Sequence, residues 1–235
     1  MRHAVVPRRG GARPLRAGRP QLVARRRLPA VTRRRPAYRS LAALERDLRV
    51  CRACVEAGHR LESLPVLSPR RDQRAYLFGQ APGAQEGRER RPWRGRAGRT
   101  LRAWLGLDED AFYATFYCGS VTRCYPGKAP SGRGDRTPTA EEQRLCAFWL
   151  ERELAILRPR LVVTVGGLAA RRLLGVATMT AGVGGRYHLP GGAVAVPLPH
   201  PSGASGWLNA PANRARLERA VALVHEELRE LGTGA

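Results

Sequence analysis

The chain is almost devoid of lysine and poor in acidic residues. Lys128 is the one lysine among 42 basic residues, and only 19 acidic residues oppose them, so the formal net charge is +23. A protein this basic is expected to bind a polyanion, either nucleic acid or an anionic membrane surface. The sequence also lacks any run of eighteen apolar residues, which argues against a membrane-spanning helix.

Residues 1–39 differ in composition from the rest of the 235 residues. They hold 13 arginines with frequent proline and glycine, no acidic residue precedes Glu45, and no apolar signal core is present. This composition predicts a disordered arm, followed by a folded region over residues 40–235. Two interpretations of the arm are open: a tail that tracks along DNA, or an upstream misassigned start codon.

Apolar runs and helical spacing predict an α/β fold. Short apolar runs predict four strands, and capped amphipathic segments between them predict helices. This alternation indicates a four-stranded, mainly parallel sheet with helices on both faces. Binding residues are then expected in loops at the carboxyl ends of the strands. The predicted strands are residues 75–78, 119–124, 161–167 and 194–198, and the predicted helices are residues 41–51, 97–106, 139–159, 168–174 and 210–231.

Five cysteines are present: Cys51, Cys54, Cys118, Cys124 and Cys146. Without a secretion signal, thiolate ligands are expected rather than disulfides. Cys51 and Cys54 form a CxxC motif, and with Cys124 and Cys146 they make an asymmetric set, leaving Cys118 as the spare. Such a set suits a cubane iron–sulfur cluster better than a zinc ribbon, which would normally show a second CxxC. Zinc, or cysteines that are simply core residues, remain the alternatives.

Three loop segments stand out at predicted strand ends. Residues 79–86 read GQAPGAQE and are followed by RPWRGRAG at 91–98, residues 121–126 read VTRCYP, and residues 200–202 read HPS. In this order, with the CxxC ahead and Cys146 within the next helix, they resemble the iron–sulfur uracil-DNA glycosylases of bacteria and archaea. The resemblance covers about residues 41–230.

This resemblance implies a three-layer α/β/α domain that flips a deaminated base out of DNA and hydrolyses its N-glycosidic bond. It further implies that Cys51, Cys54, Cys124 and Cys146 hold a structural 4Fe–4S cluster. The expected partner is DNA that contains uracil or another deaminated base. We expect a monomer that does not bind membranes and that lies in the bacterial cytoplasm with the nucleoid.

Glycosidic bond cleavage leaves negative charge on the departing uracil, chiefly at O2, so the site needs a hydrogen-bond donor there. His200, beyond a strand end, is suited to donate to that oxygen. Its neighbours Pro201 and Ser202 can clamp a phosphate. The alternative is that His200 is an ordinary loop histidine.

The glycine-rich loop is expected to hold the base and the attacking water. Gly79, Ala81 and Gly83 bring backbone groups close to the base, and Gln80 can bond water. The resemblance places Trp93 where the family stacks an aromatic ring on the base, although a core tryptophan is the alternative.

Glu86 is the candidate for orienting the water. The alternative is a solvated surface glutamate.

Two positions depart from related enzymes. Ala81 replaces the aspartate that the best-known uracil glycosylases outside the iron–sulfur group carry after the glutamine. Ser120 falls about where relatives place an asparagine that reads the uracil edge, and a serine cannot make that bidentate contact. We therefore predict a pocket that is less strictly selective for uracil.

Two further groups are expected to contact DNA. Trp207 and Leu208 can wedge into the gap left by the flipped base, or they can pack under the final helix. The phosphate track is expected to include Arg123, Lys128, Arg133 and Arg136.

Three functions compete. The first is a monofunctional glycosylase. Lys128 is the only lysine in the sequence, and it is not an evident nucleophile for a Schiff-base lyase step. The second is a non-catalytic iron–sulfur DNA-binding protein of the same fold, which Ala81 and Ser120 favour. The third is a zinc-stabilised nucleic-acid-binding module.

Overall fold

The computed structural model describes residues 37–202 and 206–232. The predicted arm therefore lies almost wholly outside the described residues, and so do residues 203–205 of the proposed wedge loop. Within the described ranges, no helix is long and apolar enough to cross a membrane.

A five-stranded sheet forms the centre of the molecule. Its strand order is β2-β1-β3-β5-β4, and all neighbours pair in parallel except β4 with β5. The sheet is therefore mainly parallel, as predicted, with one more strand than expected. The strands are β1 (Ala75–Gly79), β2 (Phe116–Ser120), β3 (Leu161–Val165), β4 (Tyr187–His188) and β5 (Val194–Leu198).

Helices cover both faces of this sheet, which confirms the three-layer α/β/α architecture. Helices α4, α5 and α9 pack on one face of the sheet and contribute to the largest core. Helices α1, α6 and α7 pack on the opposite face of the sheet. The helices are α1 (Leu41–Arg49), α2 (Ala53–Glu56), α3 (Ala84–Glu89), α4 (Arg96–Leu105), α5 (Glu109–Thr115), α6 (Ala140–Leu157), α7 (Gly167–Leu174), α8 (Met179–Gly182) and α9 (Pro211–Glu230).

The second strand begins earlier in the chain than predicted: it was expected at residues 119–124, and it lies at Phe116–Ser120. The Asp108 side chain caps α5 by accepting a hydrogen bond from the Ala111 N–H, and the chain passes from α5 straight into β2 at Phe116. After β2, the Ser120 hydroxyl donates to the Thr122 carbonyl at 2.7 Å and turns the chain away from the sheet. Residues 121–124 therefore form a loop rather than strand.

The extra strand, β4, has only two residues. Tyr187 and His188 pair antiparallel with the edge of β5. Two residues are too few to show the alternation of apolar and polar side chains from which a strand is inferred, so the sequence carried no usable signal for it.

Candidate active site and cysteine cavity

The carboxyl ends of the parallel strands bring the predicted loops together. Gly79 at the end of β1 is the register partner of Ser120 at the end of β2. Gly166, directly after β3, lies against His200, because a Cβ built on this glycine would stand 3.4 Å from both Cβ and Cδ2 of the histidine. Gly166 also has a φ of 88°, which favours glycine. The sequence analysis did not single out this close approach.

The loop after β5 fixes the His200 ring. Nδ1 lies 2.9 Å from the Ser202 hydroxyl oxygen and 3.3 Å from the Ser202 backbone N–H, which donates to it. A ring nitrogen that accepts a backbone N–H carries no proton, so in the neutral imidazole the proton sits on Nε2.

His200 keeps an exposed edge while protein atoms close around the rest of the ring. This loss of hydration lowers the pKa of His200, and the nearby Glu86 carboxylate opposes the shift. The histidine is therefore neutral at pH 7 and presents an Nε2–H donor at the edge of the sheet.

Glu86 joins two loops. Its Oε2 accepts the Gly83 N–H at 3.1 Å, and its Oε1 accepts the Gly95 N–H at 2.7 Å. Both oxygens of this carboxylate are thus engaged in holding the glycine-rich loop against the turn that precedes α4. In this geometry Glu86 holds two backbone segments in place, whereas the sequence analysis expected it to orient the attacking water.

Trp93 lies directly over the start of the glycine-rich loop. A Cβ built on Gly79 would meet Cζ2 of the indole at 2.9 Å, and the ring also packs against the largest core. The Trp93 backbone is left-handed, with a φ of 59°, and its carbonyl accepts a hydrogen bond from Arg102 Nη1 at 3.0 Å. Gly98 leaves the space for this turn, because a Cβ there would stand 1.8 Å from the Trp93 carbonyl oxygen. An unusual backbone held from two sides is typical of functional sites.

Asp135 is a site residue that the sequence analysis missed. Its Oδ2 lies 3.2 Å from a Cβ built on Gly83. Its Oδ1 accepts hydrogen bonds from Tyr125 and Lys128, both at 3.0 Å. The carboxylate belongs to a glycine- and proline-rich loop far along the chain, and only the tertiary structure brings it to the glycine-rich loop.

Gln80 and Ala81 occupy the same edge and are partly exposed. The Gln80 backbone carbonyl accepts the Thr122 N–H at 3.2 Å, which ties this loop to the turn after β2. Because the Ser120 hydroxyl donates its proton to that same turn, Ser120 can only accept a hydrogen bond from a base.

The proposed wedge residues pack against the protein. Trp207 and Leu208 form a short 3₁₀ turn and lie partly buried against the largest core. The indole Nε1 donates to the Thr180 hydroxyl at 3.0 Å. The structure therefore shows the packed arrangement, and insertion into DNA stays a prediction. Pro201 is buried and Ser202 is half-buried beside His200.

The prediction that Arg123 lines the phosphate track is wrong. This side chain is only 2% exposed and forms a buried ion pair with Glu153 on α6. Since a phosphate cannot reach a guanidinium buried in this way, Arg123 is part of the interior. Arg136 is also engaged, by a two-pronged ion pair with Glu142. Lys128 is paired with Asp135 but is exposed, as Arg133 is, so a phosphate backbone can reach both side chains.

The four predicted ligand cysteines line one cavity. Cys51 precedes α2, Cys54 lies within it, Cys124 follows β2, and Cys146 lies on α6. The cavity and the solvent space that opens from it together measure about 410 Å³. Cys118, the predicted spare, is buried in the core on β2.

The thiols of this cavity influence one another. Burial raises the pKa of Cys54 to about 11 and that of Cys146 to about 12. Burial also raises the pKa of Cys124, and the other three thiols of the cavity add to that rise. Among residues 37–202 and 206–232, no three His, Cys, Asp or Glu side chains form a group that could hold a single metal ion. The four cysteines thus share one cavity.

Comparisons with known proteins agree with this arrangement. The model of the uracil DNA glycosylase superfamily matches residues 65–223. The Type-4 uracil-DNA glycosylase of Sulfurisphaera tokodaii is 28% identical over 131 residues, which are 54% of this chain and 54% of the relative. That of Archaeoglobus fulgidus is 30% identical over 135 residues, 56% of this chain and 62% of the relative. The Type-5 uracil-DNA glycosylase of Thermus thermophilus is 35% identical over 141 residues, 52% of this chain and 61% of the relative.

The matched part thus spans little more than half the length of these relatives. The family model, however, covers the glycine-rich loop, Trp93, Asp135 and His200. From this match over more than half of its residues, the chain belongs to the uracil DNA glycosylase superfamily.

Proposed function

We propose that this protein is a DNA glycosylase that flips uracil or another deaminated base out of DNA and hydrolyses its N-glycosidic bond. The observation that carries the proposal is the neutral His200, whose ring lies against Gly166 at the carboxyl end of β3, the strand that pairs with β1. The fold and the names of the relatives support the same reaction class.

His200 would stabilise the leaving base. Breaking the bond between C1′ and the base nitrogen spreads positive charge over the sugar and negative charge over the base. A neutral imidazole that is already oriented by Ser202 can donate Nε2–H to the oxygen where this negative charge develops, without reorganising during the step. Trp93 would stack on the flipped base beside Gly79.

Asp135 is the better candidate for orienting the attacking water. Glu86 already accepts two backbone N–H groups, and Ala81 has no polar side chain. Asp135 directs Oδ2 toward Gly83, while Tyr125 and Lys128 hold its other oxygen. A carboxylate fixed in this way can accept a proton from water as it attacks C1′.

The four cysteines fit an iron–sulfur cluster. They supply thiolates only, and they line a common cavity. A zinc ribbon would normally carry a second CxxC motif, whereas Cys124 and Cys146 come from separate elements, so we propose a 4Fe–4S cluster in preference to zinc. Such a cluster, when bound, would serve to hold the α1–α2 segment, the loop after β2 and α6 together.

We further propose that the reaction is purely hydrolytic. The single lysine, Lys128, has a side chain that is 58% exposed and pairs with Asp135, so it is not enclosed in a pocket as an activated lysine nucleophile is. The basic surface suits a protein that works along DNA in the nucleoid.

A non-catalytic DNA-binding protein of the same fold is the second candidate. Ala81 and Ser120 favour it, because each lacks a group that related enzymes carry. The two candidates differ in one observable, the formation of abasic sites.

The deciding experiment uses end-labelled oligonucleotides that contain uracil, in single and double strands, with alkali to cut abasic sites. We expect cleavage by the wild type and its loss in His200→Ala. His188→Ala is the matched control, since His188 is an exposed histidine on β4. Absence of cleavage by wild-type protein on uracil, hypoxanthine and xanthine substrates would favour the non-catalytic binder.

A further inference from the structure

Two polar groups without a partner border the cysteine cavity. Thr122 and Arg123 both line it, and they are only 5% and 2% exposed. Considering the described residues alone, neither Thr122 Oγ1 nor Arg123 Nε has a hydrogen-bond partner. Buried donors in folded proteins are nearly always paired, so two unpaired donors beside one cavity call for an explanation.

Both outer nitrogens of the Arg123 guanidinium make hydrogen bonds within the protein. Nη1 donates to the Cys118 carbonyl at 3.4 Å, and Nη2 contacts Tyr76 at 3.0 Å and the Glu153 carboxylate. Arg123 lies close enough to Cys146 for its charge to lower the pKa of that thiol, against the larger effect of burial. The side chain is therefore anchored by its outer nitrogens, whereas Nε–H has no acceptor among the described residues.

We propose that Thr122 Oγ1–H and Arg123 Nε–H donate hydrogen bonds to sulfur atoms of the bound cluster and thereby raise its reduction potential and slow its loss. This inference rests on the 4Fe–4S assignment made above. Thiolate and sulfide sulfurs are the acceptors that such a cluster would bring into the cavity, and reduction makes them more negative. Donors to sulfur therefore favour the reduced form and strengthen ligand retention.

The placement of these donors in the chain supports a shared role. Thr122 and Arg123 directly precede Cys124, so one short loop supplies a ligand and both donors. The same loop is tied to the glycine-rich loop through the Thr122 N–H and the Gln80 carbonyl. Sulfur contacts at this loop would thus help to hold the edge of the sheet where His200 lies.

The test compares cluster-loaded wild type with Thr122→Val and Arg123→Lys. Thr122→Val replaces the hydroxyl by a methyl group of the same shape, and Arg123→Lys keeps the positive charge beside Glu153 while it removes Nε–H. Thr164→Val is the matched control, because Thr164 on β3 is also fully buried with an unpaired hydroxyl but does not line the cavity.

Two readouts are independent of glycosylase activity: the midpoint potential by voltammetry, and the rate at which an iron chelator bleaches the visible absorbance. We expect each cavity variant to shift the reduction equilibrium about tenfold toward the oxidised form, which is about 59 mV for a one-electron couple. We also expect faster bleaching than in wild type and in Thr164→Val.

Wild-type values for both readouts in Thr122→Val would overturn the inference, and so would purified protein that carries zinc in place of iron. The outcome is separate from the glycosylase assay. A shifted potential in a protein that leaves uracil DNA intact would keep this inference while the proposed activity failed.

Discussion

The backbone N–H of Ser202 donates to Nδ1 of His200 across 3.3 Å, and this contact decides which ring nitrogen carries the proton. His200 and Ser202 are two residues apart in the chain, and the contact between them orients the imidazole without a carboxylate partner. The contact that orients the Nε2–H donor therefore depends on a neutral ring, because a protonated Nδ1 cannot accept the Ser202 N–H.

We expect the rate of base release to depend on pH through the protonation of His200. His200 has a lowered pKa, so it stays neutral at pH 7 and acquires a proton only below its ordinary value of 6.5. Protonation would place a second N–H at Nδ1, facing the Ser202 N–H, and break the contact. We expect single-turnover rate constants that are flat above pH 6.5 and fall as the pH decreases through the lowered pKa. A rate that falls between pH 8 and pH 7 would contradict this assignment.

Glu86→Gln should loosen the site. The amide offers one acceptor oxygen where the carboxylate serves both Gly83 and Gly95, so one partly buried N–H loses its partner. We expect a loss of about 1–3 kcal/mol in the free energy of unfolding, together with slower base release. Denaturant unfolding and single-turnover assays measure the two effects. Glu218→Gln, at an exposed position on α9, is the control that should leave both unchanged, and an equal effect there would refute the explanation.

Asp135→Asn should slow the chemical step without weakening DNA binding. The amide keeps the shape of the side chain but cannot accept a proton from water, so we expect a fall in the single-turnover rate of about 10²-fold or more. Fluorescence anisotropy with a labelled duplex would measure affinity in parallel.

A second substitution sharpens the Asp135 test. Ala81→Asp restores a carboxylate in the glycine-rich loop, and we expect it to recover part of the rate in the Asp135→Asn background. Asp110→Asn, at an exposed position on α5, is the control. If Asp135→Asn released the base as fast as the wild type, Asp135 would not orient the water, and Glu86 and Gln80 would be the remaining candidates.

Ser120 should make the pocket tolerant of different deaminated bases. Its hydroxyl donates to the Thr122 carbonyl, so only its lone pairs can meet a base N–H, and uracil, hypoxanthine and xanthine all present such a group. We expect measurable release of more than one of these bases, and a stronger preference for uracil in Ser120→Asn. An exclusive preference of the wild type for uracil would contradict the prediction.

Local patterns were sufficient for much of the fold. The apolar run of β3, the Thr139–Glu142 capping box of α6 and the glycine after β1 each appear where the sequence placed them. These signals depend on neighbours within a few residues, so a single sequence displays them. The boundary of β2 and the existence of β4 were missed, because pairing with a distant strand decides both.

For the site, the sequence by itself determined which residue types were present: a histidine beyond β5, a tryptophan after a glycine-rich loop, and four spaced cysteines. Only the tertiary structure decided what these residues contact. It buried Arg123 against Glu153, engaged both oxygens of Glu86 with backbone N–H groups, and brought Asp135 to Gly83. Charge and hydrogen-bonding capacity belong to each residue alone, whereas burial and partners depend on chain segments that lie far apart in the sequence and meet only when the sheet forms.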